Sequence, residues 1–366
     1  MQALSQILTI LLVMSSISDA FPNQEEDLAA FKNAYLQYEK YFTEGNLRES
    51  LPQARLAYEL GLPLLGGDSY EACKLAYNYG NNLVQLRRFK EALPKMTEAL
   101  DCLETNQGAD SIELAPVLMD LGHVDANINR GKTRMKLYNR AFKLYERNYG
   151  DDSIEFAWFS VKAGKDMMYL ARDRQGAKHL KTGFEILWSK LGEQDSKTGY
   201  AAYHLGKHEI SSKRYKAAKR YLLIALASFD NPDKPSSTIE LSTHAFLVLV
   251  YEELGEGDLA TQHSLAIGRM TPFESTQEYF PLYKKPAVYP KSALHQRNEG
   301  YVVVQFTVDE NGFVREPRVI RVEGDKAFER PALDAVKTFR YAPRFVDGEA
   351  VAVKGVQNKI TFSINK

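Results

Sequence analysis

Gly80, Gly122, Gly164 and Gly206 stand 42 residues apart along the chain. The same step links Ala57, Ala99, Ala141, Gly183 and Ala225, and nearly links Asp68-Ser69, Asp110-Ser111, Asp152-Ser153 and Asp195-Ser196. A fixed step of this size means stacked supersecondary units, because one such unit is too small to bury its apolar face alone. Apolar residues recur at helical spacing from Glu25 to about Met270, so the units are expected to be helical and to form a solenoid over residues 21–270.

Within each unit an apolar residue precedes the glycine, as in Leu121-Gly122 and Leu205-Gly206. A small residue follows twelve positions later, as in Ala92 and Ala218, and another seven beyond that. Small residues so placed let two antiparallel helices approach closely. This register resembles the tetratricopeptide repeat, lengthened beyond the usual 34 residues as in kinesin light chain-like arrays. The Asp-Ser pairs read as helix starts whose side chains cap exposed N–H groups. The match is clear for the units beginning near Asp68, Asp110, Asp152 and Asp195, and is degenerate at the two ends, as solenoid caps should be. The resemblance implies a groove lined by the first helix of each unit: Asn81, His123, Lys165 and Lys207, then Val84, Ala126, Met168 and Ile210, then Gln85, Asn127 and Tyr169. Lys165 and Lys207 would offer positive charge to a carboxylate. The other reading of these residues is ordinary solvated helix faces.

The last fifth of the chain has a different grammar. Val302, Val304, Phe306 and Val308 alternate with Tyr301, Val303, Gln305 and Thr307 and run into Asn311-Gly312, which reads as a strand feeding a tight hairpin with positive φ at both turn residues. Leu333, Val336 and Phe339 follow Pro331 at helical spacing, and that helix must stop before Pro343. Val351 to Ile364 reads as a long last strand after the turn residues Asp347-Gly348, with Val356, Ile360, Phe362 and Ile364 on one face. A helix-flanked β-β-α-β unit is expected.

Tyr289-Pro290, Ala293, Gly300 to Val302, Val308 to Gly312, Phe339 to Pro343 and Asp347-Gly348 have the order and spacing of the TonB C-terminal domain, which this stretch resembles over residues 288–366. The resemblance implies a small periplasmic α+β domain with a three-stranded antiparallel sheet. It also implies β-augmentation, in which the exposed last strand pairs with an extended segment of an outer-membrane receptor. Val351, Val353, Ile360, Thr361, Phe362, Ser363 and Ile364 would form that edge, with Tyr289 and Pro290 as family motif. Pro331 and Gly355 depart from the family pattern and would weaken or move the edge.

Residues 1–20 hold an apolar core from Ile7 to Ile17 ending in Ser18-Asp19-Ala20. Bilayers need about 20 apolar residues, so a cleaved signal peptide is expected, with an uncleaved anchor as the next reading and a buried helix as the last. Residues 271–287 carry Pro272, Pro281 and Pro286 with the aromatics Phe273, Tyr279, Phe280 and Tyr283. They read as a short linker, in contrast to the long stalk of a TonB energy transducer. Cys73 and Cys102 sit at the start and end of one helical hairpin, where antiparallel packing allows a disulfide; the other reading is two buried thiols.

Lysine plus arginine equals aspartate plus glutamate at 47 each, so no global charge argues for nucleic acid. No nucleotide loop, nucleophile elbow or Cys-His signature occurs, and His204 and His208 lack a third ligand. No enzyme, cofactor or metal is expected. The expected function is a periplasmic adaptor that binds one protein on its repeats and a TonB-dependent receptor at its C-terminal domain, assisting transport across the outer membrane. The rivals are an inner-membrane-anchored energy transducer and a structural envelope protein holding peptidoglycan.

Overall fold

The computed structural model describes residues 25–128, 133–171, 174–229, 237–270 and 279–364, so the expected signal peptide lies outside the described residues. Two compact units divide the chain, Met1–Ile186 and Leu187–Lys366.

In the first unit, α1 (Glu25–Thr43) pairs with α2 (Leu47–Leu65), α3 (Tyr70–Gln85) with α4 (Phe89–Gln107), and α5 (Leu114–Ile128) with α6 (Arg134–Tyr149); α7 (Ile154–Ala171) follows. The repeat glycines set the hairpin spacing. A Cβ on Gly80 would meet Met96 Sδ at 2.6 Å, one on Gly122 would meet the ring of Tyr138, and one on Gly164 would meet Leu180 N at 2.5 Å. In each case the obstacle lies sixteen residues on, across the hairpin. Ala92, Ala99 and Ala141, about one turn to either side of these obstacles, are completely buried. Phe31, Leu75, Leu83, Leu114, Leu118 and Tyr138 fill the core between successive helices.

The Asp-Ser starts cap as expected, with one slip. Ser69 Oγ accepts from Ala72 N at 3.2 Å, Ser111 Oγ from Glu113 N and Ser153 Oγ from Phe156 N. The fourth start lies 43 rather than 42 residues after the third, and there Asp195 is the cap, accepting from Lys197 N at 2.8 Å. Glycines with positive φ end the second helices at Gly66, Gly108, Gly150 and Gly192, again 42 apart. The left-handed region favours glycine there because a Cβ would crowd the next carbonyl.

The second unit opens with helices of the same kind: α8 (Arg174–Leu191) leads into it, then α9 (Ser196–Ser211) pairs with α10 (Tyr215–Phe229) and α11 (Thr238–Leu254) with α12 (Gly257–Met270). The α+β part follows, with β1 (Pro281–Tyr283), α13 (Lys291–His295), β2 (Gly300–Val308), β3 (Val314–Glu323), a short 3₁₀ turn (Lys326–Phe328), α14 (Glu329–Val336), β4 (Arg340–Tyr341), β5 (Arg344–Val346), β6 (Glu349–Val351) and β7 (Val353–Phe362). The main sheet is antiparallel in the order β3-β2-β7. Val302, Val304, Phe306, Ile360 and Phe362 point to one face, where Phe328, Ala332, Ala335 and Val336 cover them.

Three details differ from expectation. Only Gly312 of the Asn311-Gly312 pair has positive φ, because the Asp309 carboxylate accepts from both Asn311 N and Phe313 N and closes a longer turn. The last strand is also shorter than Val351 to Ile364. Val351 belongs to the separate β5–β6 hairpin. Gly355, expected to disturb this strand, does so: at φ +77° it sits in a register shift that leaves β7 regular only from Val356 to Phe362.

The third difference concerns residues 271–287, expected as a linker. Of its described part, Pro281 to Tyr283 form a strand against β4, with Pro281 opposite Tyr341 and Tyr283 opposite Arg340. Tyr279 OH donates to Ala342 O, Tyr283 OH donates to Glu253 at 3.0 Å, and Phe280 is 70% exposed. Phe273 lies outside the described residues. From β4, Arg340 Nε donates to Glu252 of α11 at 2.5 Å, and its guanidinium lies 3.4 Å from the centre of the Phe313 ring. A Cβ on Gly268 of α12 would strike Pro343 O and the Phe345 ring. The Phe339 to Pro343 motif therefore packs on the last helical hairpin, and the compact division falls within α8 instead of at the proline-rich segment.

Candidate protein-docking surfaces

β7 is an edge strand: β2 occupies one side, and among the described residues no strand pairs with the other. Backbone N–H and C=O groups on such an edge can accept a further strand. Its regularity separates it from the opposite edge, β3, whose register against β2 shifts twice and whose Glu316 has φ +51°. Of the residues expected on the docking edge, Ile360 and Phe362 are buried core contacts, while Thr361 is exposed. Val353 precedes the bulge, opposite Val308. Ser363 and Ile364 lie past the strand, and Ile364 N donates to Glu299 Oε1 at 2.7 Å, which ties the chain down just beyond the edge.

Tyr289 and Pro290 brace this strand from behind. Tyr289 stands edge-on to Phe328 and Phe362, with ring centres 5.7 and 5.6 Å apart, and its hydroxyl donates to Asn298 O. Pro290 is the residue before α13, a position where no amide N–H is needed.

The residues expected in the repeat groove divide. Asn81 is committed to Asp120, donating at 2.8 Å, and Asn127 bonds its own helix at His123 O. His123 packs on Phe89, and burial lowers its pKa. Lys165 lies 3.4 Å from Asp166, and Lys207 lies over the Tyr203 and Phe246 rings. Gln85 and Tyr169 are exposed. Val84, expected to line the groove, is 2% exposed and belongs to the core, since it faces inward from the turn below Asn81.

Cys73 and Cys102 form a disulfide with Cα atoms 5.5 Å apart. It joins the start of α3 to the last turns of α4, two ends that antiparallel packing makes neighbours.

Two polar sites had no sequence motif. Asp120 accepts from Tyr77 OH at 3.1 Å as well as from Asn81, and burial pushes its carboxyl up to about 6 despite those bonds. In the second unit His244 Nδ1 and His263 Nδ1 share a hydrogen bond of 2.7 Å beside the stacked ring of Tyr251. Burial, and then the neighbouring His244, push His263 down to about 4. Both sites arise from side chains that meet across different helices, so no linear spacing announces them. Among the described residues no group of three or more His, Cys, Asp or Glu could hold a metal, and no helix is long and apolar enough to cross a membrane.

Comparison with known proteins bears on the edge strand. Residues 285–364 match the family described as Gram-negative bacterial TonB protein C-terminal. Protein TonB of Yersinia enterocolitica is 34% identical over 83 residues, which cover 23% of this chain and 30% of that protein. The chain thus spans less than a third of that relative's length. Among solved structures, TonB2 of Vibrio anguillarum is similar at 36% identity with a TM-score of 0.21, over 26% of this chain and 91% of that one. BtubC (BKLC) of P. vanneervenii is similar at 17% identity with a TM-score of 0.48, over 69% of this chain and 97% of that one.

Proposed function

We propose that this chain, whose residues 285–364 form a TonB C-terminal domain, is a periplasmic adaptor that binds other envelope proteins and catalyses nothing. Its C-terminal domain pairs with an extended segment of a TonB-dependent outer-membrane receptor, its repeats hold a second protein, and the pair assists transport across the outer membrane. The observation that carries this reading is the regular edge of β7 from Val356 to Phe362, which no strand covers among the described residues. Main-chain hydrogen bonds along such an edge supply affinity for any extended partner, and side-chain neighbours supply the choice.

The short interval between α12 and β1, and the packing of Arg340 on Glu252, favour an adaptor over an anchored transducer that must reach across the periplasm on a stalk. A photo-crosslinking amino acid at Thr361 of the full chain, in intact cells, tests the reading. The expected product is an adduct with an outer-membrane receptor. Adducts confined to peptidoglycan would overturn it in favour of a structural envelope role. Recovery of the chain only in detergent with the inner membrane would overturn it in favour of the transducer.

A further inference from the structure

β7 carries two lysines, Lys354 and Lys359, and no carboxylate between Val353 and Phe362. Register fixes where they point. Val302, Val304 and Phe306 of β2 face the core, so their neighbours Tyr301, Val303 and Gln305 face the open side of the sheet. Thr361, Lys359 and Gln357 are the cross-strand partners of those three, and so share that open face. Lys359 Nζ rests 3.7 Å from the centre of the Tyr301 ring, which holds the ammonium over the sheet while leaving part of it to solvent. Lys354 lines a cavity of about 600 Å³ shared with Gln305, Thr307, Arg318 and one carboxylate, Glu316.

A strand added to β7 alternates its side chains between the same two faces. Its residue directly opposite Lys359 has its Cβ about 5 Å from that of the lysine, close enough for an opposite charge there to favour pairing and a like charge to oppose it. The flanking open-face positions meet only Gln357 and Thr361. Beyond Phe362 the field reverses, because Glu299 sits at Ile364 N and would repel an acidic residue there. The whole chain has no net charge, so any preference for acid comes from this local row.

We infer that β7 selects an extended peptide carrying a carboxylate on the open face of the sheet opposite Lys359, and that Lys359 is the specificity-determining residue of the docking edge. The inference rests on the edge docking proposed above, and its test separates the two. Three acetylated, amidated decapeptides of alternating Thr and Val, differing only in Glu, Gln or Lys at one central Thr position, are titrated into the oxidised full chain. Binding is read by fluorescence anisotropy, and hydrogen exchange is followed from Val356 to Phe362. The Glu peptide is expected to bind about two- to fivefold tighter than the Gln peptide and the Lys peptide weaker by a similar factor, with the differences shrinking as salt rises. Lys359→Gln should level the Glu and Gln peptides, and Lys359→Glu should reverse the order of Glu and Lys. Equal affinities with β7 amides protected would overturn the selectivity and leave edge docking standing. A Glu preference that survives Lys359→Glu would overturn the role of Lys359. Absence of β7 protection by all three peptides would overturn edge docking, and the inference with it.

Discussion

In the hairpin of α3 and α4, Gly80 meets Met96 sixteen residues on, and the same offset recurs at Gly122, Gly164 and Gly206. In the C-terminal domain Arg340 finds its carboxylate at Glu252, 88 residues back along the chain. The repeats are thus held by short contacts restated every 42 residues, and the sheet domain by unique contacts between distant segments. Damage to a restated contact is shared with neighbouring copies, whereas a unique contact has no understudy. The largest expected effect therefore falls on Arg340. Its side chain and that of Glu252 are 7% and 17% exposed, so Arg340→Ala leaves a nearly buried carboxylate unpaired. A loss of about 3–5 kcal/mol is expected in denaturant titration of the full chain, and replacing both partners by Met and Gln should restore most of it. A small loss for Arg340→Ala alone would show that the domain does not depend on the last hairpin.

The disulfide is the one covalent contact in the repeats. Its 29-residue separation gives a loop whose opening costs about 3–4 kcal/mol on the loop-entropy argument. Cys73→Ser with Cys102→Ser should lower the melting temperature of the first unit and leave exchange from Val302 to Phe306 unchanged. Modification of both thiols in the denatured, unreduced protein would mean that no bridge forms.

Copies of a restated contact are not equal. At Gly164 an added Cβ meets backbone, Leu180 N at 2.5 Å and Gly176 O at 2.6 Å, while at Gly80 it meets the flexible Met96 thioether. Gly164→Ala should cost about 1–3 kcal/mol by forcing the helices apart. Gly80→Ala should cost less, because Met96 can turn away and alanine favours the helix. Equal losses at both would mean that the hairpins breathe enough to hide the difference.

The two units should also answer pH in opposite senses. His263 is held below its usual 6.5, so the stability that depends on its neutral form is complete above about pH 6.5 and is lost as pH falls toward about 4. Asp120 is held above its usual 3.8, so the folded form is best accommodated with the acid protonated, and stability there declines as pH rises from about 4 to about 6. Hydrogen exchange at pH 7 and pH 5 should show α11 and α12 loosening on acidification while α3 and α5 tighten. His263→Phe should abolish the first trend, and Asp120→Asn the second.

What could be read from the sequence follows the same division. The 42-residue step announces the hairpins because each contact that sets them lies within one period, and Ala92, Ala99, Ala141, Ala218 and Ala225 are all fully buried as their spacing implies. The step even reaches the turns within the hairpins, where Gly45, Arg87, Lys213 and Gly255 share positive φ at multiples of 42, although arginine and lysine conceal that signal in two of them. In the last fifth of the chain the strands and helix follow from local alternation and helical spacing. The strand formed by Pro281 to Tyr283, the Arg340–Glu252 pair and the break before Val353 do not, because each depends on a partner far away in sequence. The proposed docking edge was therefore legible as a strand, with Gly355 as its weak point, but not in where it begins and ends, and the residues expected in a groove were legible in position but not in their commitments, such as Asn81 to Asp120.

The smallest expected effect tests the step itself at its one irregular joint. Ser69 caps α3 through its hydroxyl, accepting from Ala72 N at 3.2 Å, and Ser153 does the same for Phe156 N ahead of α7. The extra residue between Asp152 and Asp195 shifts the pair forward by one. Asp195 takes over, with one carboxylate oxygen accepting from Lys197 N at 2.8 Å and Thr198 N at 3.3 Å, while Ser196 becomes the first helical residue. Losing a cap leaves amide N–H groups at the helix start without a partner and costs about 1 kcal/mol. Ser69→Ala should therefore cost about that much and Ser196→Ala almost nothing, although the two serines hold the same place in the Asp-Ser pattern. Asp195→Ala should cost somewhat more than Ser69→Ala, since its charge also favours the positive end of the helix dipole. Equal losses for Ser69→Ala and Ser196→Ala in urea titrations would mean that the inserted residue is absorbed elsewhere and that the caps keep strict register along the array.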